Sequence, residues 1–284
     1  MKNILYLLLF VSAPVFSQNG QAYQIYNAKG KKVTYDKMVK QLQDKDVVLF
    51  GEFHDNSLAH WLQLELTKSL AQKRGLTLGA EMIEADNQSQ LNDYLVGKID
   101  QKAFDTIARL WNNHKTDYKP LVDFAKNNKL RFIATNVPRR YASKVYKEGV
   151  ESLELLTAEE KSWIAPLPFP YDENLPGYVK MMEMFKDSNH ANPNFPKSQA
   201  VKDATMAYFI SKNIEAGKLF VHFNGSYHSN NYEGIYWYLN TYNQALKVAT
   251  IATVSQAEVK KMNPENKNLA DFIIVIDEDM TKTF

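Results

Sequence analysis

Along this chain, short apolar runs, polar loops and amphipathic stretches follow one another in a repeating order. Residues 46–50 carry Val47, Val48, Leu49 and Phe50 without a polar break and end at Gly51, the pattern of a strand buried on both faces. The loop GEFHDN comes next. Residues 57–74 then place Leu58, Trp61 or Leu62, Leu66 and Leu70 at helical intervals before Gly75. Further strands are predicted over residues 76–81, 130–135, 218–224, 246–254 and 272–276, from their branched and aromatic content. Strands alternating with helices call for right-handed crossovers, so the predicted fold class is α/β, a mostly parallel sheet flanked by helices. Two spacers, about 87–128 and 141–197, are too long for simple crossovers. They predict a smaller helical lobe inserted into one domain spanning 18–284.

Composition narrows the chemistry. With 34 basic and 32 acidic side chains among 284 residues, bulk charge recruits neither nucleic acid nor an anionic surface. The absence of cysteine removes disulfides, thiolate metal sites, thiol catalysis and covalent c-type haem attachment, which leaves metal ligation to histidine and carboxylate. At the start, Lys2, the apolar residues 4–11 and the small Ser17 predict a signal peptide over 1–17. A secreted or periplasmic chain is expected, with no transmembrane span in the mature part and no lipid anchor.

In open parallel sheets ligands bind beyond the carboxyl ends of the strands. Those ends carry Glu52 and His54, Glu81, Arg139 with Arg140, and His228. Gly-x-x-His occurs twice, as Gly51 to His54 and Gly225 to His228, each time directly after an apolar strand. The glycine permits a sharp turn and close approach, and the histidine can face the same cavity. Two imidazoles with Glu52 and Glu81 make a candidate site for a divalent transition metal, or a metal-free acid–base centre. His60 reads as a partner of His54 or a surface residue, and Asp203 as a residue orienting a histidine or an exposed helix-start acid. Arg139 and Arg140 suit a carboxylate or phosphate. His114 reads as a surface residue. His190 sits in a loop near Met181, Met182 and Met184, where it could meet a flat apolar ligand.

GEFHDN, LGAEM, ATNVPRR, QAVKDATMA and HFNGSYH followed by EGIYWYL, in that order over about residues 46–254, resemble the ChaN-like haem-binding family. Its wider superfamily includes the Tiki proteins, TraB and the erythromycin esterases. The resemblance implies a parallel α/β domain with a helical lobe and a role in haem and iron uptake. It also implies haem held near the lobe by tyrosine, a homodimer, and an outer-membrane haem receptor as partner. Tyr171, Tyr178 and Tyr227 are candidate iron ligands by location, with His190 and Arg140 as further haem contacts. The Tiki branch implies a metal-dependent hydrolase using His54 and His228. The esterase branch implies hydrolysis with Glu52, His54, Glu81 and Arg139 or Arg140.

Overall fold

The computed structural model describes residues 20–184 and 192–284, so the predicted signal peptide and His190 lie outside the described residues. Eight strands form one sheet: β1 Tyr23–Asn27, β2 Lys32–Val33, β3 Val47–Glu52, β4 Leu76–Glu84, β5 Arg131–Asn136, β6 Leu219–Gly225, β7 Val248–Gln256 and β8 Phe272–Asp277. Their order is β2-β1-β8-β7-β3-β6-β4-β5. From β8 to β5 every pairing is parallel, whereas β1 joins β8 antiparallel and pairs with β2. The α/β class is confirmed, and each of the six predicted strands is present with its ends moved by a residue or a few. The hairpin of β1 and β2 was not predicted. Its residues are too few and too polar to stand out, and its partner β8 lies at the far end of the chain.

The helices are α1 Tyr35–Leu42, α2 Ser57–Ala71, α3 Gln88–Leu95, α4 Gln101–Ile107, α5 Lys119–Asn127, α6 Arg139–Glu148, α7 Ala158–Lys161, α8 Pro176–Met184, α9 Asn194–Lys212 and α10 Ile235–Tyr242. Among the described residues no helix is long and apolar enough to cross a membrane.

Because successive strand residues point to opposite faces, each strand feeds two cores. Val48 and Phe50 of β3 with Leu219, Val221 and Phe223 of β6 meet α2, α3 and α5 through Leu62, Leu66, Leu91 and Val122. Val47, Leu49, Ile133 and Phe220 face the other way, against Val145, Met181, Val201 and Tyr238 of α6, α8, α9 and α10. The two long spacers, predicted to form one lobe, therefore enter different cores on opposite faces of the sheet. Each amphipathic stretch has its own apolar surface to cover, and the alternation along β3, β5 and β6 offers one on either side.

The order of the strands sets the position of the site. The chain lays down β3, β4 and β5 and then returns to insert β6 between β3 and β4. Glu52 at the end of β3, Gly225 at the end of β6 and Glu81 of β4 are thus neighbours. Between Ala80 and Glu84 the register of β4 against β5 slips, which re-aims the side chains of that segment.

Gly79 of β4 lies under the Phe220 ring: an added Cβ would sit 2.8 Å from it and 3.2 Å from Thr135 Cγ2. We expect Gly79→Ala to cost about 1–3 kcal/mol through overpacking, read as a lower urea midpoint at unchanged slope. An unaltered midpoint would show that the contact yields freely.

Candidate functional site

Glu52 is the final residue of β3, 1% exposed, and its carboxylate is wrapped by donors. His54 Nδ1 donates to Oε1 at 2.8 Å, as does the Tyr118 hydroxyl at 2.7 Å, while Gln63 Nε2 of α2 donates to Oε2 at 2.5 Å. His60 Nδ1 lies 3.4 Å from the same Oε2. Burial works to raise the Glu52 pKa, but hydrogen bonds and charge from His54 and His60 outweigh it and hold the carboxyl below its usual range. For His60 the balance runs likewise: burial disfavours its cation, and Glu52 and Asp117 overcome this, lifting it to about 9. Its Nε2 approaches the His54 carbonyl oxygen at 3.1 Å, and Asn113 donates to that oxygen as well. His60 is therefore the buried partner of the His54 loop, not a surface residue.

The second group centres on His228, buried at the end of the Ser226–His228 turn. Its Nδ1 donates to Asp203 Oδ1 of α9 at 2.6 Å, and Nε2 lies 3.3 Å from Glu81 Oε1. Glu81 Oε2 accepts from the Gly225 amide at 2.7 Å. Burial opposes charge on the imidazole, yet the two carboxylates raise His228 to about 10. Glu81, against its own burial, is held low by His228, His54 and the Gly225 amide. Asp203 is pushed up by burial, with the negative charge of Glu81 adding to the rise, against the opposing pull of His228. Behind them His222 is neutral, lowered to about 4 by complete burial, with Thr135 and Asn224 on its ring nitrogens.

The two Gly-x-x-His turns meet, and the glycine of each makes room for the other. A Cβ on Gly51 would strike Ser226 Cα at 2.9 Å, and one on Gly225 would lie 2.7 Å from His54 Nε2 and 3.5 Å from Glu81 Oε2. His54 thus lies against β6 beside Glu81, with Trp111 packed on its ring edge at 4.8 Å and its side chain 34% exposed. Burial lowers its basicity, while the Glu52 hydrogen bond and the charge of Glu81 raise it further, so its pKa lies above the ordinary imidazole value.

Residues 281–283 close over this loop. The Thr283 amide donates to the Asp55 carbonyl at 2.9 Å, and the Thr283 hydroxyl donates to Asp117 at 2.9 Å. Ser57 donates to the Thr281 carbonyl at 2.9 Å, and Lys282 pairs with Asp55.

Of the predicted site residues, Glu52, His54, Glu81 and His228 come together, with Asp203 as the orienting acid. Arg139 does not join them: its side chain is exposed and its backbone amide donates to Glu84. Arg140 is engaged elsewhere, donating to Asp86 at 2.7 Å and lying over the rings of Tyr141 and Trp163. The metal reading of His54, His228, Glu52 and Glu81 does not fit the donors as arranged. Both ring nitrogens of His228 and one of His54 already face carboxylates, and among the described residues no group of three or more such side chains is placed to hold one ion. His114 is buried instead of exposed, against the Phe104 ring, and burial lowers it to about 4.

Sequence reading missed Gln63, Asn113, Asp117 and Tyr118, the residues that surround Glu52 and the His54 loop. None of them left a signal: Gln63 shares the buried side of α2 with His60 and Thr67, so its polarity does not single it out.

Of the three tyrosines, Tyr178 points inward, its hydroxyl 3.4 Å from Asp203. Tyr227 donates to the Gly177 carbonyl at 3.1 Å. Tyr171 stacks on Tyr178 at 5.5 Å, and its hydroxyl has no hydrogen-bond partner among the described residues. Tyr171, Tyr178, Val179, Met182 and Lys197 border a cavity of about 680 Å³.

Fold and site together define a parallel α/β protein with a histidine–carboxylate cluster at its strand switch point. Residues 38–239 match the family described as haem-binding uptake, Tiki superfamily, ChaN, and the chain belongs to that family. The fold is similar to that of ChaN of Campylobacter jejuni, solved with cofacial haem, at a TM-score of 0.65 and 15% identity over 90% of this chain and 98% of that one. A Bacillus cereus protein is similar at 0.52 and 12%, over 89% and 95% of the two chains. The chloroplastic protein RETICULATA-RELATED 5 of Arabidopsis thaliana is 25% identical over 157 residues, 53% of this chain, which spans only 20% of that relative's length.

The His228 pairing predicts how stability follows pH. Its folded pKa of about 10 exceeds the free value of about 6.5, so its contribution is complete below the free value and is lost as pH rises towards 10. His60 acts in the same sense, up to about 9. In urea titrations from pH 6 to 10 the native chain should lose stability steadily. His228→Gln should start about 3–5 kcal/mol lower and decline less steeply. Parallel declines would contradict the pairing.

Proposed function

We propose that this chain binds haem in the cavity beneath α8 and serves haem or iron uptake as a secreted or periplasmic protein. The observation that carries this is the cavity itself, about 680 Å³ and walled by Tyr171, Tyr178, Val179 and Met182 with Lys197 at its side. A porphyrin needs a flat aromatic and thioether wall for its ring, a cation for its propionates and an oxygen or nitrogen donor for its iron. Tyr171, Tyr178, Val179 and Met182 suit the ring and the iron, and among the described residues Lys197 is the one cation of a lining that also carries Glu173 and Glu183. Tyr171 is the ligand we assign, because Tyr178 and Tyr227 spend their hydroxyls on Asp203 and Gly177. Lys197 takes the propionate role expected of Arg140, which Asp86 occupies. Bound haem supplies a ferric iron that accepts a phenolate, and the protein's part is to stack on the ring and exclude water. The family match and the cofacial haem of the C. jejuni ChaN structure support the reading. Export rests on the pattern of residues 1–17. A second copy and an outer-membrane haem receptor are the partners such a role calls for.

A haemin titration tests this. We expect a saturable Soret shift at micromolar protein, at least tenfold weaker in Tyr171→Phe and unchanged in Tyr227→Phe. No saturable shift in the native chain would remove the haem reading, and equal binding by Tyr171→Phe would remove the assigned ligand.

A second reading is favoured by one feature of the strand-end cluster. Glu52 holds His54 through Nδ1, while Nε2 lies beside Gly225 with no hydrogen-bond partner among the described residues, on a side chain 34% exposed, the arrangement of a general base. In this reading His54 takes a proton from water as the oxygen attacks an ester or amide carbonyl, Glu52 stabilises the imidazolium, and His54 returns the proton to the leaving group. The neutral imidazole is the active form and its pKa is raised, so hydrolysis of a p-nitrophenyl ester should increase with pH through an inflection above that of free imidazole. His54→Ala should lower the rate at least a hundredfold. Equal rates in the two proteins would end this reading.

A further inference from the structure

A second cavity, of about 970 Å³, runs along the free edge of β5, apart from both sites described above. Its volume is in the upper part of the range of small-molecule sites, roughly 300–1,000 Å³. The floor is the outer edge of β5, where the Gln88 carboxamide donates to the Phe132 carbonyl at 3.0 Å and accepts from the Ala134 amide at 2.7 Å. One side chain thus makes the two bonds that a neighbouring peptide group would make, so the edge does not call for another strand. The walls are apolar, formed by the partly buried side chains of Leu95, Leu130 and Phe209. Val96 stands at the opening, 78% exposed.

The charges on this lining are of one sign. Lys126, Lys129, Arg131 and Lys212 border the cavity, and among the described residues no aspartate or glutamate does. Arg131 is neutralised by Glu215 at 2.7 Å, and Lys126 lies over the Tyr94 ring. Lys129 and Lys212 have no carboxylate partner among the described residues. Lys129 projects from a residue with φ of 53°, directly before β5, and Lys212 from the last turn of α9. Lys212 lies over the Tyr208 ring at 5.5 Å, which leaves its positive charge uncancelled by any acid of the lining, and an apolar trough bordered by such cations is complementary to a molecule with a hydrocarbon body and an anionic end.

We propose that this groove is a binding site for an amphiphilic carboxylate, its apolar body laid along Leu95, Leu130 and Phe209 and its carboxylate held by Lys129 and Lys212. The site is independent of the haem and hydrolase readings, since it shares no residue with either cluster.

Calorimetric titration of the full chain with dodecanoate, below its micellar range, tests the assignment. Saturable one-to-one binding is expected, with dodecyltrimethylammonium of the same chain length showing none. The double variant Lys129→Glu and Lys212→Glu changes only surface positions and should weaken dodecanoate binding at least tenfold. Val96→Trp should weaken it by obstructing the opening. Circular dichroism of each variant verifies the fold. Absence of saturable heat, equal binding of the cationic amphiphile, or unchanged affinity in the double variant would overturn the proposal.

Discussion

Burying carboxylates obliges the rest of the site to exist. Glu52, Glu81 and Asp203 are all at least 95% buried at the ends or flanks of a hydrophobic sheet. A carboxylate in such surroundings survives as an anion only where donors and opposite charge replace water. Here the replacement is imidazole: His54 and His60 on Glu52, and His228 shared between Glu81 and Asp203. Each acid needs its histidine and each histidine its acid, so the loop after β3, the turn after β6, α2 and α9 are held in one relative placement. That placement is also what preorganisation for proton transfer requires.

A buried network of this kind is only partly visible in a linear sequence. The strands were legible because a parallel sheet covered on both faces forces continuous apolar runs, as in Val47 to Phe50. The meeting of His54, Glu81 and His228 was legible because each follows or ends such a run, and strand ends converge. Glycine at 51 and 225 was legible as a turn signal, although its further role, vacating space for the opposite motif, depends on which strands are neighbours. Tyr118 and Gln63 were not legible: one lies 66 residues from Glu52, and both sit in helical segments whose pattern reports packing and not chemistry. Arg139 and Arg140 misled because position after a strand places the backbone, whereas Glu84 and Asp86 decide where that segment is bound. The hydrophobic pattern likewise marked 87–128 and 141–197 as helical without saying which face of the sheet each would cover.

The α8 cavity and the strand-end cluster are one residue apart. Tyr178 forms part of the cavity wall with its ring, and its hydroxyl reaches Asp203, which holds His228. The cavity wall and the histidine–carboxylate centre are therefore parts of one continuous structure, joined through Tyr178 and Asp203.

The seam between residues 281–283 and the loop at 55–57 gives the far end of the chain a share in holding His54. Asp117 receives Thr283 and also anchors Asn113 and His60, both of which bear on the His54 carbonyl. Breaking the contacts of Thr281, Lys282 and Thr283 would therefore unlatch the carrier of an imidazole more than two hundred positions upstream, because the sheet itself does not hold that loop closed.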